Sequence, residues 1–188
     1  DPDETDSGPV AGSDLDLHFA HPNAATEGPD LDLNGSDDPW FDKDWDTFWY
    51  NKTPNWGSFD PAAGDDPSLD RDDTDGAGPE NLNIAIPEDD IVYHIGVHYW
   101  DSHGMGPVIA TVRVWTYATL IYEGCVGKTA EECCLDPSEG GTTVCEVFEQ
   151  QFQELDMWCV GAVNWPEPQV STCEPVAPDT ITPNYVNP

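Results

Sequence analysis

The segment Asp14-Leu15-Asp16-Leu17-His18-Phe19 alternates strictly between polar and apolar residues. Successive side chains of an extended chain point to opposite faces, so Leu15, Leu17 and Phe19 share one face and Asp14, Asp16 and His18 the other. The reading is a β-strand with one face in the core. Ile91 to Trp100 (IVYHIGVHYW) repeats it, with Ile91, Tyr93, Ile95, Val97 and Tyr99 on one side and His94, Gly96, His98 and Trp100 on the other. Ala110 to Tyr122 (ATVRVWTYATLIY) is β-branched and aromatic, long enough for one strand or a strand pair. Leu82 to Ile86 and Met157 to Trp165 (MWCVGAVNW) are further candidates.

Helical spacing is confined to Thr143 to Met157, where Val147, Phe148, Phe152 and Leu155 recur every three to four residues; a strand with a charged edge fits the same residues. The expected fold is all-β: a β-sandwich, jelly-roll or immunoglobulin-like, over residues 14–173, with a Cys-rich insertion at about 123–156. Residues 1–13 are acidic and without periodicity, and residues 174–188 are Pro-rich, so both ends are expected to be extended tails.

The chain has 188 residues, a net charge of −33 and a hydrophobic fraction of 38%, which suits one domain with long loops. Eight Trp, six Tyr and six Phe supply enough large side chains for a core. The charge excludes nucleic acid and anionic membranes as partners, and its self-repulsion calls for bound cations or high salt. A merely solubilising acidic surface is the alternative, but that needs no excess of Asp over Glu, whereas Ca²⁺ loops favour short Asp side chains on a turning backbone. No apolar run reaches the length of a membrane span, and no basic, hydrophobic leader opens the sequence, so export would place Asp1 after a removed leader.

Cys125, Cys133, Cys134, Cys145, Cys159 and Cys173 lack the paired spacing of zinc sites. An even count in a polar, loop-like region reads as disulfides, hence an extracellular or cell-surface location, with the pairing open among fifteen possibilities. Buried free thiols are the other reading.

The densest local signal is Leu69-Asp70-Arg71-Asp72-Asp73-Thr74-Asp75-Gly76-Ala77-Gly78-Pro79-Glu80. Several carboxylates on a short Gly-bearing turn can aim oxygens at one point, which suits Ca²⁺, Mg²⁺ less, and zinc poorly. The spacing is not that of an EF-hand. An acidic turn without an ion would carry the same residues.

Three stretches, Asp14-Leu15-Asp16-Leu17-His18, the Leu69 to Glu80 loop, and Tyr93-His94-Ile95-Gly96-Val97-His98-Tyr99, together resemble the marks of a family of secreted and periplasmic β-sandwich domains of unassigned activity, found in myxobacterial-type lipoproteins and beside adhesion modules. The resemblance covers residues 14–122. It implies a sandwich in which Asp14 and Asp16 face Asp70, Asp72, Asp73 and Asp75 to form a Ca²⁺ site. Ala77 departs from that family's usual aromatic.

Trp40 to Tyr50 (WFDKDWDTFWY), with Trp56 and Phe59 behind it, is the other concentrated feature. Trp40, Trp45, Trp49 and Trp56 flanked by Asp and Asn suit stacking on sugar rings or a subunit interface; a loop folded over the sandwich as a second small core uses them equally well. His18, His94 and His98 fit a transition metal or half-buried strand positions. Asp101-Ser102-His103 holds triad residue types without a nucleophile elbow, so no enzyme is expected.

The functional expectation is a non-enzymatic calcium-binding structural module, a subunit of a surface fibre, filament or layer whose extended ends repay their ordering against neighbouring copies. Deleting residues 1–12 or 176–188 would then leave a folded monomer. A carbohydrate or surface-polysaccharide binding module using the Trp-rich segment is the alternative.

Overall fold

The computed structural model describes residues 12–24, 38–74, 79–127, 145–148, 150–171, 181–182 and 185. Their strands are β1 (Asp14–Ala20), β2 (Asp46–Thr47), β3 (Ser68–Arg71), β4 (Asn81–Asn83), β5 (Val92–Asp101), β6 (Ala110–Thr116), β7 (Thr119–Val126), β8 (Cys145–Phe148), β9 (Met157–Asn164), β10 (Val170–Ser171) and β11 (Ile181–Thr182). The architecture is all-β and sandwich-like. Its main sheet runs β10-β9-β5-β1-β2, with β11 also on β9, and every pairing in it is antiparallel. A second sheet runs β6-β7-β8, and β3 and β4 form a separate ribbon.

The alternation read from the sequence sets the faces. Phe19, Tyr93, Ile95, Val97 and Tyr99 join Trp158 and Val160 in one core with Ala110, Tyr122 and Val126 of the second sheet, and Leu15 and Leu17 pack against it. Ala110 to Tyr122 is a strand pair: β6 and β7 are joined through Tyr117 and Ala118, both at positive φ (47° and 66°), which matches the twist of the strands.

The opposite face of the main sheet is buried too. All seven residues from Tyr93 to Tyr99 are buried, which a sheet with one wet face would not give. A second core of Ala20, Ala24, Trp40, Phe41, Phe48, Met157, Cys159 and Tyr185 covers it. The Trp40 ring packs closely against Gly96, where an added Cβ would meet it at 2.8 Å.

The described residues bear on three expectations. The helical reading of Thr143 to Met157 fails, because Cys145–Phe148 is strand β8, paired in parallel with β7, and sheet pairing outweighs a weak helical period. Residues 123–126, assigned to the insertion, are the end of β7, with Glu123, Cys125 and Val126 buried; residues 128–144, with Cys133 and Cys134, lie outside the described residues. The end of the chain is not simply a tail: Ile181 and Thr182 pair with Trp158 and Met157, and Tyr185 is 2% exposed in the second core. At the start, Ser13 is buried with its hydroxyl 3.0 Å from that of Tyr99, and residues 1–11 lie outside the described residues.

Candidate metal centre

On β1 the face bearing Asp14, Asp16 and His18 is polar, and all three are buried. β5 covers one edge of β1 along its whole length, while β2 covers the other edge only at Phe19 and Ala20. Leu17 on the open stretch therefore has a backbone N–H to give, and it donates to Glu80 Oε2. The N–H of Asp73 reaches Glu80 Oε1 at 3.4 Å. Glu80 thus ties the ends of the acidic loop to β1, and β3, irregular between Leu69 and Arg71, leads Asp72 into the same place.

Carboxylate oxygens of Asp16, Asp72 and Glu80 lie within 4.8 Å of one another. At that spacing each pair of ionised groups repels by roughly 3 kcal/mol at an effective dielectric near 20. Few partners offset this. Lys52 Nζ, half exposed, holds Asp72 Oδ2 at 2.7 Å, while Asp72 Oδ1, Asp16 Oδ2 and the neighbouring Asp14 Oδ1 are buried with no hydrogen bond. Asp16 is only 3% exposed.

The titration behaviour follows. Burial, with Asp72 adding and His18 opposing, raises Asp16 to about 6. Burial and the charges of Asp16 and Asp72 raise Asp14 to about 7. Glu80 rises to about 9 through burial, against its backbone N–H donors and with Asp16 and Asp72 adding. A cluster of acids that resists its own ionisation, with buried unpartnered oxygens on Asp14, Asp16 and Asp72, has the chemistry of a hard-cation site. Its donors are all oxygen, which suits Ca²⁺ or Mg²⁺ rather than zinc.

Of the six acids expected at this site, Asp16 and Asp72 converge and Asp14 lies beside them. Asp70 does not: it is exposed and accepts from Ser68 Oγ, Asn81 and Asn83 on the ribbon. Asp73 is turned to Arg71 at 2.7 Å. Asp75 lies outside the described residues. Glu80 was not among the six, although it lies two residues before the candidate strand at Leu82 to Ile86, close enough to a fixed element to hold its place.

The four tryptophans separate. Trp40 and Trp56 are each 1% exposed and Trp45 is partly buried, so they are core and not a ligand platform; rings of that size gain more from burial against β1 and β5 than from solvent. Trp49, at 36%, is the one left open, beside exposed Tyr50 and Trp100. Two of the histidines are spoken for by protein partners: His18 Nδ1–H donates to Asp46 at 2.6 Å and His98 Nε2–H to the Tyr185 carbonyl at 2.8 Å. Burial lowers His94 and His98 to about 4. The only metal-competent convergence among the described residues is the acidic one. Ser102 gives its hydroxyl proton to Glu154, and His103 Nδ1–H donates to the carbonyl of Gly12, so these two form no nucleophile–base pair. Cys125 and Cys159 are buried, and neither is a free thiol.

No family model, curated protein or solved structure matches this chain. Among the described residues no helix is long and apolar enough to cross a membrane.

Proposed function

We propose that this chain is a non-enzymatic, extracellular calcium-binding module that works by holding a partner. One observation carries the cation: Asp16, whose buried Oδ2 has no hydrogen-bond partner, sits in a cluster with Asp72 and Glu80 that is offset only by half-exposed Lys52 on Asp72 and by the pull of His18 on Asp16 among the described residues. Three carboxylates leave room for water to complete the six to eight oxygens Ca²⁺ takes. Titration calorimetry of cation-stripped protein with CaCl₂ and with MgCl₂ tests it. Saturable Ca²⁺ binding, weaker for Mg²⁺, is expected; absence of heat or of any shift in melting with either ion ends the reading.

Location outside the cytoplasm rests on the six cysteines as oxidised pairs, and two buried cysteines that are not free thiols support it. Alkylation of the unreduced protein with mass analysis would reveal any thiol. What the module holds is the second question. The termini that would build a fibre or layer from copies of this chain lie mostly outside the described residues. Ile181, Thr182 and Tyr185 are packed on their own sandwich, which favours ligand binding over assembly through that end.

A further inference from the structure

Trp49, Tyr50 and Trp100 form one exposed aromatic surface. Trp49 and Trp100 lie 6.5 Å apart, inclined at 44°, and Tyr50 stands 5.7 Å from Trp49. All three are at least 36% exposed, whereas the Phe, Tyr and Trp rings of the two buried cores are at most 9% exposed. Their position is set from two sides. Trp100 lies two residues past His98 on β5, its ring 6.0 Å from that of His98, and His98 Nδ1 is 4.0 Å from Asp16 Oδ2. Trp49 and Tyr50 sit at the tip of a tight turn closed by Phe48 and Asn51; the next residue, Lys52, binds Asp72 through Nζ and the N–H of Leu69 through its carbonyl. One residue on each side therefore links the aromatic surface to the acidic cluster: His98 between Trp100 and Asp16, and Lys52 between the Trp49–Tyr50 turn and Asp72.

From this juxtaposition we propose that the protein binds a neutral saccharide in a cation-dependent way, the sugar's C–H face on Trp49, Tyr50 and Trp100 and its vicinal hydroxyls on the cation held by Asp16, Asp72 and Glu80. The proposal rests on the calcium reading above. Few ligand classes suit both halves. A hard cation with incomplete protein ligation takes oxygen donors, and exposed indole and phenol faces take the apolar face of a ring. An acidic polysaccharide meets a chain of net charge −33, and an apolar peptide leaves the cation unused. A sugar ring offers hydroxyl pairs on one side and C–H groups on the other.

The test is affinity electrophoresis of the full chain in native gels containing a β-glucan, a galactomannan, a xylan or an alginate, each with Ca²⁺ and with chelator. Retardation by at least one neutral polysaccharide is expected, abolished by chelator. Trp49→Ala and Trp100→Ala should weaken it at least about tenfold while leaving the Ca²⁺-dependent rise in melting temperature intact. Phe59→Ala, removing a ring 96% exposed elsewhere, should not change it. Retardation by none of the neutral polysaccharides, by alginate alone, or undiminished by chelator or by both Trp substitutions overturns the proposal. Failure of the calcium reading is separately visible as the absence of any Ca²⁺ effect on melting.

Discussion

Nδ1 of His98 and Oδ2 of Asp16 face each other across 4.0 Å in the interior, and neither has a hydrogen-bond partner. The Tyr185 carbonyl, 2.8 Å from Nε2, fixes the ring proton on that nitrogen, so Nδ1 presents a lone pair to a carboxylate. Two acceptors do not attract. The arrangement is relieved by a proton on Asp16 or by a cation beside it, and the second agrees with the convergence of Asp72 and Glu80 on the Asp16 carboxylate.

Calcium should therefore raise stability by mass action, by about 2.7 kcal/mol when free Ca²⁺ is a hundredfold above Kd. Asp16→Asn keeps the shape and removes the charge; it should abolish that increment and leave the cation-free protein as stable or more so. Asp70→Asn, on the exposed ribbon, should leave the increment whole. Thermal melts of the three proteins with and without chelator decide it, and equal Ca²⁺ shifts in wild type and Asp16→Asn would sink the assignment.

The pH dependence has a definite sign. Asp14 and Glu80 have folded pKa values of about 7 and 9, above their ordinary values, so the folded state holds protons the unfolded state has lost. Stability of the cation-free protein then declines as pH rises from 7 to 9. His94 and His98, near 4 in the fold, act oppositely but only below their unfolded value of about 6.5, where the unfolded chain takes up protons first. Saturating Ca²⁺ should flatten the decline above pH 7, because a bound cation keeps the acids ionised at no cost. Denaturant titrations at pH 7, 8 and 9 that show a rise without Ca²⁺ would contradict the raised pKa values.

Much of this was legible in the sequence, unevenly. Strict alternation in Asp14 to Phe19 and Ile91 to Trp100 pointed to both strands, observed at Asp14–Ala20 and Val92–Asp101, and to the residues that share each face. What it could not show is that the polar face is also inside: a period of two reports which residues share a side, and burial of that side depends on Trp40, Phe41 and Phe48 folding back from a loop with no period. The acidic loop marked where carboxylates gather but not which of them converge. Asp70 and Asp72 are equivalent in composition, and only the irregular pairing of β3 with β4 and the bond from Leu17 to Glu80 separate them. Burial of Tyr185 was missed because four prolines in fourteen residues outweighed one tyrosine.

Gly96 should be irreplaceable for that covering layer. An added Cβ meets the Trp40 ring at 2.8 to 3.1 Å, and Trp40 is confined by the rest of the second core. Gly96→Ala should cost about 1 to 3 kcal/mol, the usual range for overpacking, and Gly96→Val more. Because Trp40 must shift, its near-ultraviolet circular dichroism should change with it. A Gly96→Val protein as stable as wild type would mean that Trp40 does not lie on the sheet.

Removing residues 181–188 should unfold more than a tail. Two losses combine: the Tyr185 ring, in the second core against Phe41 and 6.4 Å from His98, and the Tyr185 carbonyl that accepts from His98 Nε2. Loss of a large buried ring costs about 3 to 5 kcal/mol, and a buried donor left unsatisfied adds about 1 to 3. Tyr185→Ala removes only the ring and so should destabilise less than truncation. The carbonyl also governs the cation site. Without it the proton of His98 is free to move to Nδ1 and to be given to Asp16, taking up an oxygen that would otherwise bind Ca²⁺. Truncation should therefore weaken Ca²⁺ binding, whereas Tyr185→Ala, which keeps the carbonyl, should weaken it less. Calorimetric titration and thermal melting of both variants test the pair of effects. A truncated protein that melts and binds Ca²⁺ like the full chain would show this end to be a free arm, and assembly through it would regain its place ahead of ligand binding.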